Sequence, residues 1–418
     1  MLLGDAADLR MGINRKGLSG PVWNALGSGM YAATTFLLLF FVSRRCGADS
    51  AGIFSVAFTN AQLLYIVGVF GAHTFHMTDY GREYSFSAYF SLRVFTCLLM
   101  VPALLGLALV GEMRSKLPLT AVLTLFMAVS ALAELWQSEF FRRDRLDLSG
   151  QSLFFRNLIS TGAFLGVLAL SGSAVAASLG ALVANVLSTA CFGPLRMARL
   201  GPEARVRGED RRALLLSCLP LFISTLLMTV LPNCSKYVMD YMASDLVVGH
   251  FSMILMPVQF VNLLAGFIFR PYLKRFSDCL SAGEGSGFLA LLRKNALLIL
   301  LVTAVSALAA YLVGIPVLSW LYKAELSPYR LELTGAVLGG GALALSTLEY
   351  YLIVTMRRQR SGCLLYAAAT ALCAVLNVAL IKAMGVFGGI LSCLAAYTLL
   401  CAAELVYILF CLRRTGNA

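Results

Sequence analysis

Apolar runs of about 20 residues alternate with short polar connections from residue 22 to residue 411. A helix rises 1.5 Å per residue, so each run is long enough to cross a ~30 Å hydrocarbon core. The pattern predicts twelve spans: 22–43, 53–72, 89–110, 118–138, 153–170, 174–193, 213–233, 250–270, 294–313, 334–355, 363–381 and 388–411. The runs lack the period-2 alternation of outer-membrane barrel strands. The expected fold class is therefore an all-α integral membrane protein with about 12 transmembrane helices.

The longest central polar connection is "RMARLGPEARVRGEDRR", Arg196 to Arg212, and it parts six spans from six. It predicts an N-terminal lobe over 1–195, a basic cytoplasmic linker over 196–212 and a C-terminal lobe over 213–418. Internal matches support two related halves. "GIFSVAF" at Gly52 opens the second span and "GHFSMIL" at Gly249 opens the eighth. "ELWQSEFFRRDR" from Glu134 follows the fourth span and "EYYLIVTMRRQR" from Glu349 follows the tenth; in both, a glutamate precedes R-R-x-R by eight residues. Halves with an even number of helices insert in the same orientation, which puts a pseudo-two-fold axis along the membrane normal and a transport pathway between the lobes.

Composition agrees with a polytopic protein: 59% of the 418 residues are hydrophobic, only 13% are charged, and mean hydropathy is +0.82. Soluble domains carry about a quarter charged residues. The opening "MLLGDAADLRMGINRKG" lacks the order of a cleavable signal and is expected to stay. The net charge of +12 does not call for nucleic acid, because it lies in the short loops. With the N-terminus inside, 23 Lys and Arg fall on the inner side and eight on the outer, an asymmetry that predicts both termini on the cytoplasmic side.

The chemistry needed for catalysis is missing. No Walker-type G-x-x-x-x-G-K-[ST], no H-E-x-x-H and no nucleophile elbow with a plausible triad occurs, so neither an enzyme nor a cofactor is expected. The eleven cysteines lie mostly in apolar runs, where they pack as small residues. Cys46 and Cys234 both fall in predicted outer loops, where a disulfide is open to them.

Ionisable residues in or near spans are costly, so each is a site hypothesis. Glu134 and Glu349 lie ~12 Å from their Arg clusters, as a coupling or gating pair or as helix-end carboxylates solvated or paired with Arg. Glu404, without a counterpart, reads as a packing contact with a polar partner. Arg93 at the start of the third span either meets an anionic substrate or snorkels to the headgroups. Arg270, before Pro271, Lys274 and Arg275, either holds a phosphate or anchors the inner face. Arg44 and Arg45 lie outside against the charge rule, which leaves pyrophosphate binding or an outer gate. Lys236 and Asp240 are spaced i,i+4, either as a phosphate ligand with its support or as a surface pair.

"FGAHTFHMTDYGREYSF", Phe70 to Phe86, sets His73, His76 and Asp79 at helical spacing. A metal would need a fourth ligand in a closed shell; Glu83 falls in an exposed loop and His250 at the opposite face. The stretch is expected instead to be a cytoplasmic loop, with Asp79 and Arg82 in an inner gate meeting the second lobe and both histidines at the headgroup boundary, where a histidine responds to pH.

Several segments together resemble the polysaccharide-transport, Wzx-like flippases of the multidrug/oligosaccharidyl-lipid/polysaccharide (MOP) superfamily. They are "NALGSGMYAATTFLLLFFVSRRCGADSAGIFSVAF", which carries the family's early Asn at Asn24, a substrate-cavity candidate, then "VFGAHTFHMTDYGREYSFSAYFSLR", "LPNCSKYVMDYMASDLVVGHFSMILMPVQFVNLLAGFIFRPYL" and "GVFGGILSCLAAY". The chain departs from the family after Asn233, where Cys234 and Ser235 precede Lys236. The resemblance implies alternating access between two six-helix lobes, an undecaprenyl-pyrophosphate-linked oligosaccharide as substrate, and work beside glycosyltransferases and a polysaccharide polymerase. A multidrug-efflux-type cation-coupled antiporter is the alternative; that branch carries a helix-one carboxylate, and Val22 to Ser43 holds none. A third reading is a scaffold for polysaccharide synthesis.

Overall fold

The computed structural model describes residues 19–79, 83–109, 116–200 and 211–414. The chain is helical: α1 Gly20–Val69, α2 Ala72–Thr78, α3 Phe86–Ala108, α4 Leu117–Arg142, α5 Leu146–Ser171, α6 Ala174–Phe192 and α7 Pro194–Ala198 form the first half. The second half comprises α8 Arg211–Met242, α9 Asp245–Phe269, α10 Leu273–Ala282, α11 Gly285–Ala309, α12 Ile315–Tyr322, α13 Arg330–Thr355 and α14 Gln359–Arg414. Among the described residues, ten helical stretches are long and apolar enough to cross a membrane.

Two of these stretches are hairpins. In α1 the backbone breaks at Gly47 (φ 88°) and in α14 at Gly385 (φ 59°), a left-handed region that glycine enters without a Cβ penalty. The chain reverses at both points. Tyr31 and Tyr65 both come to the Glu134 carboxylate, and Tyr366 and Glu404 share Ser346. Counting each hairpin as two crossings gives the twelve helices of the expected fold. The 50-residue and 56-residue elements hide turns too tight to break the helical pattern.

Within the first half, α1 lies along α5: Gly150 comes against the backbone of Trp23 and Asn24, and Thr34 bonds Thr161 at 3.0 Å. In the second half α13 packs on α14 and α9, and α14 on α8. Rows such as Leu98, Val101 and Leu105 of α3 face outward fully apolar, the surface that lipid covers and water would not.

The halves meet where the sequence repeats. Ser55 donates to Ser252 at 2.7 Å, across 197 residues of chain. A Cβ on Gly52 would overlap the carbonyl of Asp245 and one on Gly249 that of Ala48, the same contact with the halves exchanged. Reciprocal contacts of this kind arise only at a two-fold axis. The "GIFS" and "GHFS" repeats thus touch each other across the pseudo-symmetry axis, and their glycines let two backbones cross.

The second internal match is corrected by two residues. The turn ending α4, with Asp144 at φ 58° and Arg145 N–H on Phe140 O, recurs at the end of α13 with Arg357 at φ 58° and Arg358 N–H on Ile353 O. Superposing these turns sets Glu134 opposite Thr347 and Glu349 opposite Trp136. Two positions are about 200° around a helix, so the two glutamates point in different directions and are not a symmetric pair.

Candidate functional site

Beside the crossing, one face of the molecule is sealed. Lys116 at the start of α4 forms ion pairs with Asp240 of α8 and, at 2.6 Å, with Asp245 of α9. Ser43 donates to Tyr322 O at 3.0 Å, and Tyr322 stacks edge-on with Phe36 and Phe40. Arg44 stands over Phe40 and Trp320. Asp240 is therefore not the partner of Lys236, as the i,i+4 spacing predicted; it reaches a lysine of the other lobe, 124 residues away.

Burial opposes the charge on Lys116, but hydrogen bonds to Asp240 and Asp245 outweigh it and raise its pKa above the ordinary lysine value. A raised lysine pKa means the contribution is complete at neutral pH and lost only as pH rises through that value. Lys116→Ala is expected to loosen this face: a cysteine pair introduced at Ser55 and Ser252 should cross-link more slowly than in the parent chain. Equal rates would exclude a latch.

At the other face, "FGAHTFHMTDYGREYSF" divides into two parts. Phe70 stacks on Phe222 of α8 (4.4 Å), and Gly71 abuts Leu221 and Cys218. This is the contact with the second lobe, made several residues before the predicted gate. Asp79 is buried among first-half groups instead. It accepts from Glu83 N (2.8 Å), Tyr84 N (3.3 Å) and Tyr89 Oη (3.0 Å), with Arg142 at 3.6 Å. Arg82 lies outside the described residues.

His76 is enclosed by protein. It is 1% exposed, stacks on Tyr89 at 3.9 Å and donates from Nε2 to Glu139 (2.9 Å), which also takes Arg142 at 2.6 Å and Arg143 at 2.5 Å. Burial, opposed by the Glu139 hydrogen bond, pushes its pKa down to about 4. A histidine held neutral contributes in full above its unfolded value near ~6.5, and the contribution is lost as pH falls toward 4. Hydrogen exchange of residues 72–78 should therefore speed up between these values in the parent chain and lose that acid dependence in His76→Gln. His73 bonds Ser138 (2.7 Å) and lies 3.9 Å from Glu134. Among the described residues no three His, Cys, Asp or Glu are grouped to hold a metal ion.

Between the faces lies a cavity of about 230 Å³ on the second lobe, lined by Met228, Gln259, Asn262, Arg270, Thr347 and Tyr366 among others. With the offset set by the glycine crossing, Asn262 corresponds to Tyr65 and Met228 to Tyr31; by the matched turns Thr347 corresponds to Glu134. The same positions in the first lobe thus hold a tyrosine–carboxylate group: Glu134 bonds Tyr65, near Tyr31 and Arg156. Arg156 is 3% exposed and reaches Asn185 at 3.4 Å. Lys236, one helical turn inside the crossing, donates to Thr59 at 3.1 Å. Neither Lys236 nor Arg270 has an acidic partner among the described residues.

The other predicted site residues lie apart. Arg93 is 1% exposed and donates to Gly68 O (3.3 Å), which also takes Thr96 (2.7 Å). It caps the carbonyl end of α1, where a cation is favoured, and does not face the cavity. Asn24 is half-buried against Gly150. Glu349 is 4% exposed, beside Cys401. Cys46 and Cys234 are both free thiols, Cys46 turned to Gly172 O (3.2 Å) and Cys234 in the core of the second lobe, so the disulfide is not made. Arg156, Lys116 and Glu139 were absent from the sequence-derived set. An arginine inside the span 153–170 was signal enough for the first; the other two depend on partners far along the chain.

No family model matches the chain, and no curated protein matches it in sequence. Solved structures do match in fold. An inward-facing multidrug resistance MATE family transporter of the MOP superfamily superposes with a TM-score of 0.67 at 11% identity, covering 97% of both chains. A MOP superfamily transporter from Pyrococcus furiosus, described as having a binding pocket of reversed polarity, gives 0.63 at 9% identity over 94% of each chain. The lipid II flippase MurJ, in an inward closed conformation, gives 0.65 at 14% identity over 93% of this chain and 87% of its own. The chain has the fold of MOP-superfamily transporters, two six-helix lobes about a pseudo-two-fold axis.

Proposed function

We propose that this chain moves a lipid-linked, pyrophosphate-bearing oligosaccharide across a bacterial inner membrane by alternating access, as a polysaccharide-type flippase working beside glycosyltransferases and a polymerase. The observation that carries this reading is Arg270 in the second-lobe cavity, a cation with no carboxylate partner among the described residues; Lys236, which reaches Thr59 of the first lobe nearer the crossing, has none either. An unpaired cation beside a low-dielectric cavity is costly unless a ligand neutralises it. A diphosphate does so with charge-assisted hydrogen bonds, for which guanidinium is well shaped. Gln259, Asn262 and Thr347 add neutral donors and acceptors suited to sugar hydroxyls.

The basic loop residues place the Lys116 face outside and the α2 face inside. The cavity then opens to the cytoplasm, where such a substrate is made. On the α1 side of that opening, residues from Gly20 to Thr34 pack on α5 of their own lobe. The prenyl tail stays in lipid while the head group crosses between the lobes. The lobes are 1–195 and 213–418, joined by 196–212. Glu134, held by Tyr65 beside Arg156, serves as a gating or coupling carboxylate of the first lobe.

A cation-coupled drug antiporter would need acidic groups where this cavity carries Arg270. The test is competition on the purified chain in lipid nanodiscs. A fluorescent prenyl-pyrophosphate saccharide should bind, be displaced by its unlabelled form, and resist displacement by a lipophilic organic cation. Displacement by the cation alone would reverse the assignment.

A further inference from the structure

Beyond the cavity, the second lobe buries two carboxyl groups that the proposed cargo does not use. Glu349 and Ser346 of α13 face Glu404 and Cys401 on the last arm of α14 as two rungs. The Ser346 hydroxyl donates to Glu404 at 2.6 Å, and the Cys401 thiol bonds Glu349. Glu404 is 0% and Glu349 4% exposed, and each keeps one buried oxygen, Oε1 and Oε2 respectively, without a hydrogen-bond partner. The groups facing them are Tyr350 of α13, Tyr366 on the first arm of α14 and Cys401, with Ser224 of α8 behind Tyr350. None of these is a cation. Two adjacent negative charges cannot share such a place.

The site has a route to the cavity. Tyr366 lines the cavity, and its phenol oxygen stands 3.2 Å from the Ser346 hydroxyl. A hydroxyl has one hydrogen and two lone pairs, so Ser346 can give its hydrogen to Glu404 while accepting one from Tyr366.

We infer that Glu404 and Glu349 form a proton-binding site of the second lobe, loaded from the second-lobe cavity through Tyr366 and Ser346. The transfer balances as a relay: a proton arrives at the Tyr366 oxygen as its own hydrogen passes to Ser346, whose hydrogen passes to Glu404, and Glu404 becomes a carboxylic acid. No bond between heavy atoms changes. A proton suits the site better than calcium or magnesium, which take six or more oxygen ligands. Here two carboxyl groups and one hydroxyl are joined by a thiol. The inference deepens the proposed transport by naming an ion that can be exchanged for the cargo, and it rests on that reading only for its purpose.

The test is pH-difference infrared spectroscopy of the full chain in lipid nanodiscs, without cargo. The parent chain should show the carbonyl stretch of a protonated carboxyl group at neutral pH. Glu404→Gln should lose it, and Ser346→Ala, which keeps both carboxylates, should shift it. Tyr366→Phe should keep the band but slow its exchange into heavy water. A band unchanged in both Glu404→Gln and Glu349→Gln, or one that sodium ions remove at constant pH, would overturn the proposal. Because no cargo is present, failure here leaves the assigned substrate standing, and failure of cargo binding leaves this site standing.

Discussion

Gly249→Val should all but abolish transport, with a loss on the order of a hundredfold, although the helices still form. The first carbon of any side chain at Gly249 would overlap the carbonyl oxygen of Ala48 and approach Gly52 N to 3.2 Å. Both obstacles are backbone, so no rotamer relieves them. The face held by Ser55 and Ser252 then cannot close, and the protein is driven toward the state open on that side. Moving a two-state equilibrium from 99:1 to 1:99 takes about 5.5 kcal/mol, within reach of a clash between two helix backbones. Cysteines at Ser55 and Ser252 should lose their cross-link in the Gly249→Val background. Gly166→Val is the control, because nothing lies within 4 Å of a Cβ there. Full cross-linking and full transport in Gly249→Val would mean that the crossing is not the closed gate.

Arg270→Ala should weaken binding of the anionic cargo by about tenfold to a hundredfold, since a charge-assisted hydrogen bond contributes roughly 1.5–3 kcal/mol and each 1.4 kcal/mol is a factor of ten. Lys236→Ala, which removes a cation outside that cavity's lining, should weaken it less, and the two losses should add as for separate sites. The loss should be smaller for a monophosphate analogue than for the diphosphate. Arg93→Ala should behave differently: it removes the cap on Gly68 O and is expected to lower thermal stability, with little change in affinity per folded molecule. Dissociation constants and melting temperatures measured on the same preparations separate the two effects.

These residues show what a sequence can and cannot disclose about such a fold. The spans were legible because lipid imposes an apolar run of fixed length on every crossing. The two hairpins at Gly47 and Gly385 were legible as pairs of spans even where the helices run on almost unbroken. The glycine repeats at Gly52 and Gly249 were legible as a repeat, but not as each other's partner. The glutamate match misled because an R-R-x-R cluster marks a helix end only to within a turn, and two residues suffice to turn Glu349 away from the Glu134 position. Asp240 misled for a related reason: local spacing offered Lys236, while tertiary packing supplied Lys116 from the other lobe. Asp79 and His76 looked like exposed loop groups, and nothing local announced that Tyr89, Glu139 and Arg142 would enclose them. Arg270 and Lys236 stood out because cations near a membrane interior are rare; the fold sets Arg270 in the second-lobe cavity and Lys236 against Thr59 of the first lobe.

The most direct test is translocation in proteoliposomes that contain the purified chain. A fluorescent prenyl-pyrophosphate oligosaccharide, incorporated in both leaflets, is quenched by an impermeant reductant added outside. The account predicts protein-dependent loss of the inner-leaflet signal, sharply slowed in Arg270→Ala and in Gly249→Val. Signal loss at the same rate in protein-free vesicles, or equal rates in the parent chain and Arg270→Ala, would contradict it.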